Sequence, residues 1–183
     1  VAGLEAGEMI EQGKLLYERF DPVASNVVIK VPVCTQNAAG EGAPFDGITA
    51  IEELSDSKIP VNATLVFTPE QALLAAKAGA EYVSPFAGRI DDRIRRAAGI
   101  EFEKKDYFPA NGIVDEDTLE PLNDFGLVSG TELVARTVDL FHQYNIESEV
   151  IAASVRNARQ VRELASVGTH IATVPFPILS AMV

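Results

Sequence analysis

Cysteine is nearly absent from this 183-residue sequence, in which Cys34 is the single example. One thiol excludes an internal disulfide and fits a reducing compartment. Basic residues are also scarce, because 15 lysines and arginines stand against 27 aspartates and glutamates, for a net charge of −12. Nucleic-acid backbones require a basic protein face, so we expect no nucleic-acid partner. We expect a cytoplasmic protein.

Long apolar runs are missing as well. No stretch approaches the roughly 20 apolar residues that cross a bilayer, so we expect no membrane association. The N-terminus lacks a basic region followed by an apolar block, and we expect no secretion signal. The first residue is valine rather than methionine, so we expect a fragment or a processed product. The length suits one domain with a full core.

Two kinds of motif are not found. No G-x-G-x-x-G or G-x-x-x-x-G-K-[ST] loop follows an expected strand, so the usual phosphate loop of a nucleotide-binding fold is lacking. No two of the His, Cys, Asp and Glu residues show metal-ligand spacing, so we predict no metal. We also expect no cofactor. His142 and His170 are isolated in the sequence, and we expect structural roles for both.

The sequence does contain an alternation of short β-rich runs and helical stretches. The predicted strands are 27–33, 61–67, 82–86, 149–153 and 171–174. The predicted helices are 4–20, 46–54, one that begins at Pro69, 129–144 and 158–166. Apolar strands that alternate with helices indicate a parallel sheet covered by helices, and therefore an α/β protein. A β/α barrel and an open doubly wound sheet both remain possible, since a barrel needs eight strands and five are found.

Polar residues lie at or just beyond the C-terminal ends of the predicted strands, where both architectures place active sites. They are Thr64, Ser84, Arg89, Ser154 and Arg156. Two stretches, 34–45 and 100–126, are rich in Gly, Pro, Asn and Asp. We expect them to be active-site loops or surface excursions.

Lys30 lies inside the apolar run NVVIKVPV. Its side chain faces one side of the strand only. If that side is a barrel interior, desolvation favours the neutral amine, which attacks a carbonyl to form a Schiff base. The alternative is a lysine at the end of a strand whose ammonium group reaches water.

Arg89 lies in SPFAGRIDD, and its planar guanidinium suits a phosphate. The alternative is an ion pair with Asp91 or Asp92. Asn62 and Thr64 are two residues apart and face the same side of one strand. Either a site or a buried hydrogen-bond network would satisfy them.

In AASVRN, Ser154 and Arg156 lie between a strand and the start of a helix, which together make a plausible anion site. The alternative is capping of the helix by Ser154 or Asn157, with a solvated arginine.

The segments VVIKVPV, NATLVFTPEQALLAAKAGAEYVSPFAGRIDD, EVIAASVRNARQV and GTHIATVPFPIL, in this order, resemble the transaldolase family and its relatives, the fructose-6-phosphate aldolases. They span most of the chain from Val27 to Leu179. The resemblance implies a (β/α)8 TIM barrel and class I aldol chemistry without a metal. It also implies that Lys30 is the Schiff-base nucleophile and that the substrates are sugar phosphates.

The resemblance assigns the remaining candidate residues as well. Arg89, Ser154 and Arg156 fall where the family binds the sugar phosphate. Three others fall where it lines the site: Asn62, Thr64 and Ser84. Thr64 corresponds to a residue that helps to hold a catalytic water. Phe86 resembles the transferases, whereas the aldolase branch has tyrosine there, and Asn62 is also similar to the transferases.

The sequence departs from the family pattern at both ends. We expect strands four to eight of the barrel only, a partial barrel in one α/β domain, with Val1 at the end of the third strand and the last helix absent. The family places an aspartate acid/base on the first strand, an asparagine on the second and a carboxylate or amide on the third. Segment 34–45 is longer than usual, and Cys34 replaces a common threonine. Unpaired strand edges predict self-association, so we expect a homo-oligomer.

Three interpretations follow from the resemblance. The leading one is transfer of a dihydroxyacetone unit between sugar phosphates through Lys30, as in the pentose phosphate pathway. The second is a fructose-6-phosphate aldolase, which releases free dihydroxyacetone. The third is a non-catalytic sugar-phosphate-binding fragment.

Overall fold

Helices and strands alternate along the part of the chain that the computed structural model describes, residues 1–36 and 43–183. The strands are β1 Ile29–Pro32, β2 Val61–Val66, β3 Tyr82–Pro85, β4 Glu149–Ala152 and β5 Ile171–Ala172. The helices are α1 Ala6–Ala24, α2 Asp46–Asp56, α3 Pro69–Lys77, α4 Ala87–Ala97, α5 Gly130–Gln143, α6 Ala158–Ser166 and α7 Phe176–Ser180. The five strands are all parallel and follow one another in sequence order in the sheet. This confirms the α/β class and is consistent with part of a (β/α)8 barrel.

The chain divides into two compact units. Unit 1 consists of the described part of Val1–Val66 together with Glu70–Ser84 and Asn145–Glu149. Unit 2 consists of Phe67–Pro69, Pro85–Tyr144 and Val150–Val183.

Unit 1 is built on the parallel pair of β1 and β2, against which α2 packs. Helix α1 packs against both α2 and β1. Gly13 makes the close approach of α1 possible, because a Cβ at this position would lie 2.9 Å from Leu54 Cδ2 and 3.3 Å from Ile29 Cγ2. The side chains of Ile29 and Val31 are buried. Lys30 lies between them and therefore faces the other side of the strand.

Unit 2 packs α4 against α5, and α5 against α6. Its apolar core includes buried side chains of α4, α5 and the segment between them, which are Ile90, Ile94, Phe108, Leu127 and Leu133. Ser129 caps α5 by accepting a hydrogen bond from the Glu132 N–H, and Asn157 caps α6 by accepting one from the Gln160 N–H. These side chains satisfy amides that the helices themselves leave without partners.

Two helices were not predicted from the sequence, α4 and α7. The predicted helix 158–166 agrees with α6, and Pro69 begins α3 as predicted. Gly79 follows α3 with a φ of 94°, a conformation that suits glycine and ends the helix. Part of the predicted loop 34–45 lies outside the described residues. Among the helices that are described, none has the length and apolar character needed to cross a membrane.

Candidate active site

The polar side chains of unit 1 share one face of its sheet. Lys30 on β1 is the register partner of Asn62 on β2. Neighbouring residues in a parallel ladder point to the same side, and Thr64 follows Asn62 by two positions. An amine, an amide and a hydroxyl therefore project from one face of two adjacent strands, as the sequence spacing of Asn62 and Thr64 predicted.

Asn62 also contacts the next strand of the sheet. The hydroxyl of Ser84 on β3 donates a hydrogen bond of 2.7 Å to Asn62 Oδ1. This acceptor role fixes the amide orientation and leaves the Asn62 NH2 group as a donor. The structure thus brings three predicted site residues together in unit 1, namely Lys30, Asn62 and Ser84.

The hydroxyl of Thr64 has no partner among the described residues, although its oxygen is inaccessible to solvent. A buried hydroxyl without a hydrogen bond is costly and rare in proteins. The next residue, Leu65, has a φ of 57°, a left-handed conformation that a leucine seldom adopts. An unpartnered hydroxyl beside a strained backbone is characteristic of a functional position.

Lys30 is exposed rather than desolvated. The reactivity predicted for Lys30 depends on burial, and the described residues do not supply that burial. The physical reason is the direction of the side chain, which leaves β1 on the face opposite to Ile29 and Val31, whereas the packing of α1 involves Ile29. The catalytic role of Lys30 stays a prediction.

In unit 2, the residues that follow β3 and β4 contact each other and the first turn of α4. Phe86 forms a parallel bridge with Ala153, and the Ala153 N–H donates to the Pro85 carbonyl at 2.9 Å. Gly88, in the first turn of α4, packs on the residues after β4. A Cβ there would overlap the Ser154 carbonyl oxygen and lie 2.7 Å from Arg156 Cγ. Only glycine allows this approach.

Arg156 forms a nearly buried ion pair with Asp92 of α4. Its guanidinium donates to Asp92 Oδ2 at 2.6 Å, and both side chains are at most 9% exposed. Arg156 Nε and Asp92 Oδ1 are buried without a partner among the described residues. The pair is therefore incompletely satisfied.

Arg89 does not pair with Asp91 or Asp92, which corrects the alternative considered for SPFAGRIDD. Asp92 binds Arg156, and Asp91 accepts hydrogen bonds from the Gly130 N–H at 2.7 Å and the Gln160 side chain at 2.6 Å. Arg89 is exposed, with its guanidinium 5.9 Å from the ring centroid of Phe86. Its fork remains available for an anion.

The two arginines line one open cleft of about 780 Å³ in unit 2. Its charged lining consists of Arg89, Asp92, Arg96, Glu101, Lys104 and Arg156. Arg96 and Lys104 were not predicted from the sequence. The helical spacing of Arg89, Asp92 and Arg96 could have revealed Arg96. Lys104 comes from segment 100–126. That segment therefore contributes to a candidate binding site, one of the two roles expected for it.

Asp91 stabilises the framework beneath the cleft. Burial raises the pKa of its carboxyl to about 7, although the Gly130 amide, the Arg95 charge and Gln160 oppose this effect. The carboxyl connects α4 to the first residue of α5 and to α6. Asp91 thus joins three helices rather than facing a substrate.

The two histidines and the single cysteine differ in their surroundings. Nδ1 of His170 accepts a hydrogen bond of 3.1 Å from the Val150 N–H, which fits the structural role expected for this residue. His142 is exposed at the end of α5, and Cys34 is a free thiol. No group of three or more His, Cys, Asp or Glu side chains within 1–36 and 43–183 is arranged to hold a metal ion.

A five-stranded parallel sheet that alternates with helices and has polar side chains near its strand ends defines an α/β protein, and the fold is consistent with part of a β/α barrel. A profile described as Transaldolase/Fructose-6-phosphate aldolase matches residues 1–183, and the chain belongs to this family. This confirms the resemblance found in the sequence.

Curated relatives agree with the family assignment. The chain is 35% identical to a probable transaldolase of Bdellovibrio bacteriovorus and 37% identical to one of Clostridium tetani, each over 182 residues. A probable transaldolase of Chlorobium phaeovibrioides is also 37% identical over 182 residues. Each match covers all of this chain but only 61–63% of the relative. The chain therefore spans less than two thirds of the length of these relatives.

Proposed function

We propose that this protein acts as a transferase that moves a dihydroxyacetone unit between sugar phosphates, with Lys30 as the Schiff-base nucleophile. The observation that supports this most directly is the register of Lys30 with Asn62. This register puts the Lys30 amine, the Asn62 amide and the Thr64 hydroxyl on one face of the sheet. Ser84 orients the amide, and the hydroxyl has no partner among the described residues. Membership of the transaldolase family supports the reaction class.

The chemistry begins at the amine. Lys30 Nζ adds to the C2 carbonyl carbon of a ketose phosphate, and loss of water from the adduct gives an iminium ion. A base takes the proton of the C4 hydroxyl as the C3–C4 bond breaks, the electron pair of that bond moves into the iminium to form an enamine, and an aldose phosphate leaves with its new carbonyl at the former C4. The enamine then adds to the carbonyl of a second aldose phosphate. Water hydrolyses the new iminium and releases Lys30.

Polar groups near the amine assist these steps. Thr64 holds a water through its unpartnered hydroxyl, and this water serves in forming and hydrolysing the iminium. The NH2 group of Asn62 donates to a substrate hydroxyl, since its carbonyl oxygen is already occupied by Ser84.

The anion-binding role falls to unit 2. Arg89 and Arg156 line the same cleft, and Arg156 has a buried Nε–H without a partner among the described residues. Charge-assisted hydrogen bonds from guanidinium groups are well suited to a phosphate. Ser154, which has a φ of 64°, and the N-terminus of α6 complete the proposed phosphate site.

Borohydride trapping tests the nucleophile. The protein is incubated with fructose 6-phosphate, reduced with sodium borohydride and analysed by intact mass spectrometry. We expect a covalent adduct in the wild type and none in Lys30→Ala. Lys77→Ala, an exposed lysine at the end of α3, is the matched control and should keep the adduct. An unchanged yield of adduct in Lys30→Ala would rule out the proposed nucleophile.

Two alternatives have observations in their favour. The exposure of Lys30 favours a sugar-phosphate-binding protein without turnover, in which fructose 6-phosphate binds but no adduct forms. The family description also includes fructose-6-phosphate aldolases, which release free dihydroxyacetone. We expect the transferase, because Phe86 stands where that branch has tyrosine. Phe86→Tyr should increase the release of dihydroxyacetone, measured by its enzymatic reduction, and no increase would count against the branch assignment.

A further inference from the structure

The cleft of unit 2 extends beyond the two arginines assigned to the sugar phosphate. Arg89, Asp92 and Arg96 are separated by three and four residues, so their side chains share one face of α4. A rise of about 1.5 Å per residue puts Arg96 roughly 10 Å from Arg89 along the helix axis. One phosphate group does not bridge this distance. Arg96 therefore marks a second position for an anion.

Lys104 reaches the same cleft from a closed turn. The Asp106 N–H donates to the Glu103 carbonyl at 2.9 Å, and the Glu103 N–H donates to Asp106 Oδ2 at 2.7 Å. Arg95 donates to the carbonyl oxygens of Asp106 and Tyr107 at 3.1 and 2.7 Å. The backbone around Lys104 is thus ordered in advance, and binding an anion costs only the ordering of its side chain.

Aromatic contacts hold this segment against the helices of unit 2. The guanidinium of Arg95 is 4.8 Å from the ring centroid of Phe102 and 4.9 Å from that of Phe108. The Tyr107 hydroxyl donates to Glu163 of α6 at 2.7 Å, and Arg159 lies 3.8 Å from the Tyr107 ring centroid. Residues 102–108 therefore form a fixed wall that positions Lys104.

The charge of the cleft is opposite to that of the whole chain. Four cationic and two acidic side chains line it, an excess of two positive charges in a chain of net charge −12. Asp92 is already paired with Arg156, which leaves Glu101 as the other acid among the described lining residues. Like charges concentrated in this way repel one another unless an anion is bound.

We propose that Arg96 and Lys104 form a second anion subsite and that the cleft binds a linear polyphosphate across both subsites. One end of the ligand contacts Arg89 and Arg156, and the other contacts Arg96 and Lys104. This goes beyond the proposed function, because a polyphosphate has no carbonyl for aldol chemistry. Where the proposed sugar-phosphate site is correct, the polyphosphate competes with the sugar phosphate for the Arg89 end of the cleft.

Calorimetry with inorganic tripolyphosphate tests the second subsite, in metal-free buffer and with inorganic phosphate as the single-site probe. We expect tripolyphosphate to bind the wild-type chain at least about tenfold more tightly than phosphate, because it forms charge-assisted contacts at both ends. The double variant Arg96→Gln/Lys104→Gln should lose most of this difference and still bind phosphate. Arg96→Lys keeps the charge. It should retain more of the affinity difference between tripolyphosphate and phosphate than the double variant does.

The control pair is Arg93→Gln/Arg136→Gln, which removes the same charge from unit 2. Both arginines pair with carboxylates, Asp124 and Glu132, and neither lines the cleft. Equal weakening by the control pair would overturn the subsite in favour of general electrostatic attraction, as would equal affinities of wild type for the two probes. Failure of borohydride trapping at Lys30 would leave this result unaffected, so the two proposals fail independently.

Discussion

Two unfavourable features, each costly in folding free energy, occur at Thr64 and its neighbour Leu65. Its buried hydroxyl lacks a hydrogen-bond partner among the described residues, and the adjacent Leu65 has a left-handed backbone. A buried hydroxyl without a partner costs roughly 1–3 kcal/mol, and a strained non-glycine residue costs a similar amount. A residue retained at this cost is better explained by the water that we assign to it than by its contribution to stability.

Replacing Thr64 with valine distinguishes a role in holding a water from a role in stability. Thr64→Val keeps the shape and removes the unpartnered hydroxyl, so we expect the free energy of unfolding to stay within about 1 kcal/mol of wild type or to increase. The rate of borohydride-trapped adduct formation should fall. Thr137→Val is the matched control, because its buried hydroxyl donates to the Leu133 carbonyl at 2.8 Å. Clear destabilisation by Thr64→Val with an unchanged trapping rate would contradict the proposed water-holding role.

Local spacing predicted which strand face carries Asn62 and Thr64, since alternation of side chains is fixed by the backbone. It could not predict the exposure of Lys30, which depends on what packs against that face. Nor could it predict that Asp92 binds Arg156, a residue 64 positions away, instead of Arg89. Contacts of that kind depend on the tertiary fold, and the sequence near Asp92 has no signal for them.

Among the elements, α4 organises the candidate phosphate site of unit 2. Arg89 and Arg96 face the cleft from this helix, Asp92 holds Arg156, and Asp91 connects the helix to α5 and α6. The carboxyl of Asp91 is surrounded by Arg95, Asp92, Gln160 and the Gly130 amide. Its protonation therefore affects how firmly three helices are joined.

This connection makes stability depend on pH. In the folded chain, burial raises the pKa of Asp91 to about 7, whereas an unfolded aspartate titrates near 4. Between these values the folded state binds more protons, so the contribution of this group is fully present below about pH 4 and is lost as pH rises through about 7. We expect the free energy of unfolding in urea to fall from pH 5 to pH 8 by more for wild type than for Asp91→Asn.

The exposed Asp139 supplies the control for this measurement. Asp139→Asn should keep the pH dependence of wild type, because this exposed side chain makes none of the buried contacts that Asp91 makes. Parallel stability curves for wild type and Asp91→Asn would show that the carboxyl of Asp91 does not titrate in this range.

Helices with one apolar face were predicted well from the sequence, whereas α4 was not. Helix α6 has a clear N-cap in Asn157, and its observed bounds equal the predicted ones. Helix α4 buries Asp91, Asp92 and Arg95 beside Ile90 and Ile94, and these buried charges hide the apolar periodicity. Helix α7 has five residues and contains a proline, so it leaves too short a pattern to recognise.

At the scale of the whole molecule, large apolar side chains remain in contact with solvent. Leu15 and Val23 of α1 are 62% and 82% exposed, and Phe176 of α7 is 78% exposed. Exposed apolar side chains favour association, while a net charge of −12 opposes it. The balance therefore depends on ionic strength, because salt screens the repulsion.

We expect the chain to self-associate in sedimentation velocity, increasingly so with protein concentration and with added salt. The double variant Leu15→Ser/Phe176→Ser should reduce association. Leu119→Ser should have little effect, although Leu119 is 78% exposed, because it lies in the segment between α4 and α5 rather than on α1 or α7. A monomer at every concentration and salt level would contradict the homo-oligomer inferred from the sequence.

Gly88 has a consequence for protein engineering. It lies directly under the Ser154 carbonyl and beside the stem of Arg156, with no room for even a methyl group. Combinatorial libraries aimed at new substrates should hold this position constant, because Gly88→Ala would displace the guanidinium at the far end of that stem. We therefore expect Gly88→Ala to alter anion binding, although it adds only one methyl group.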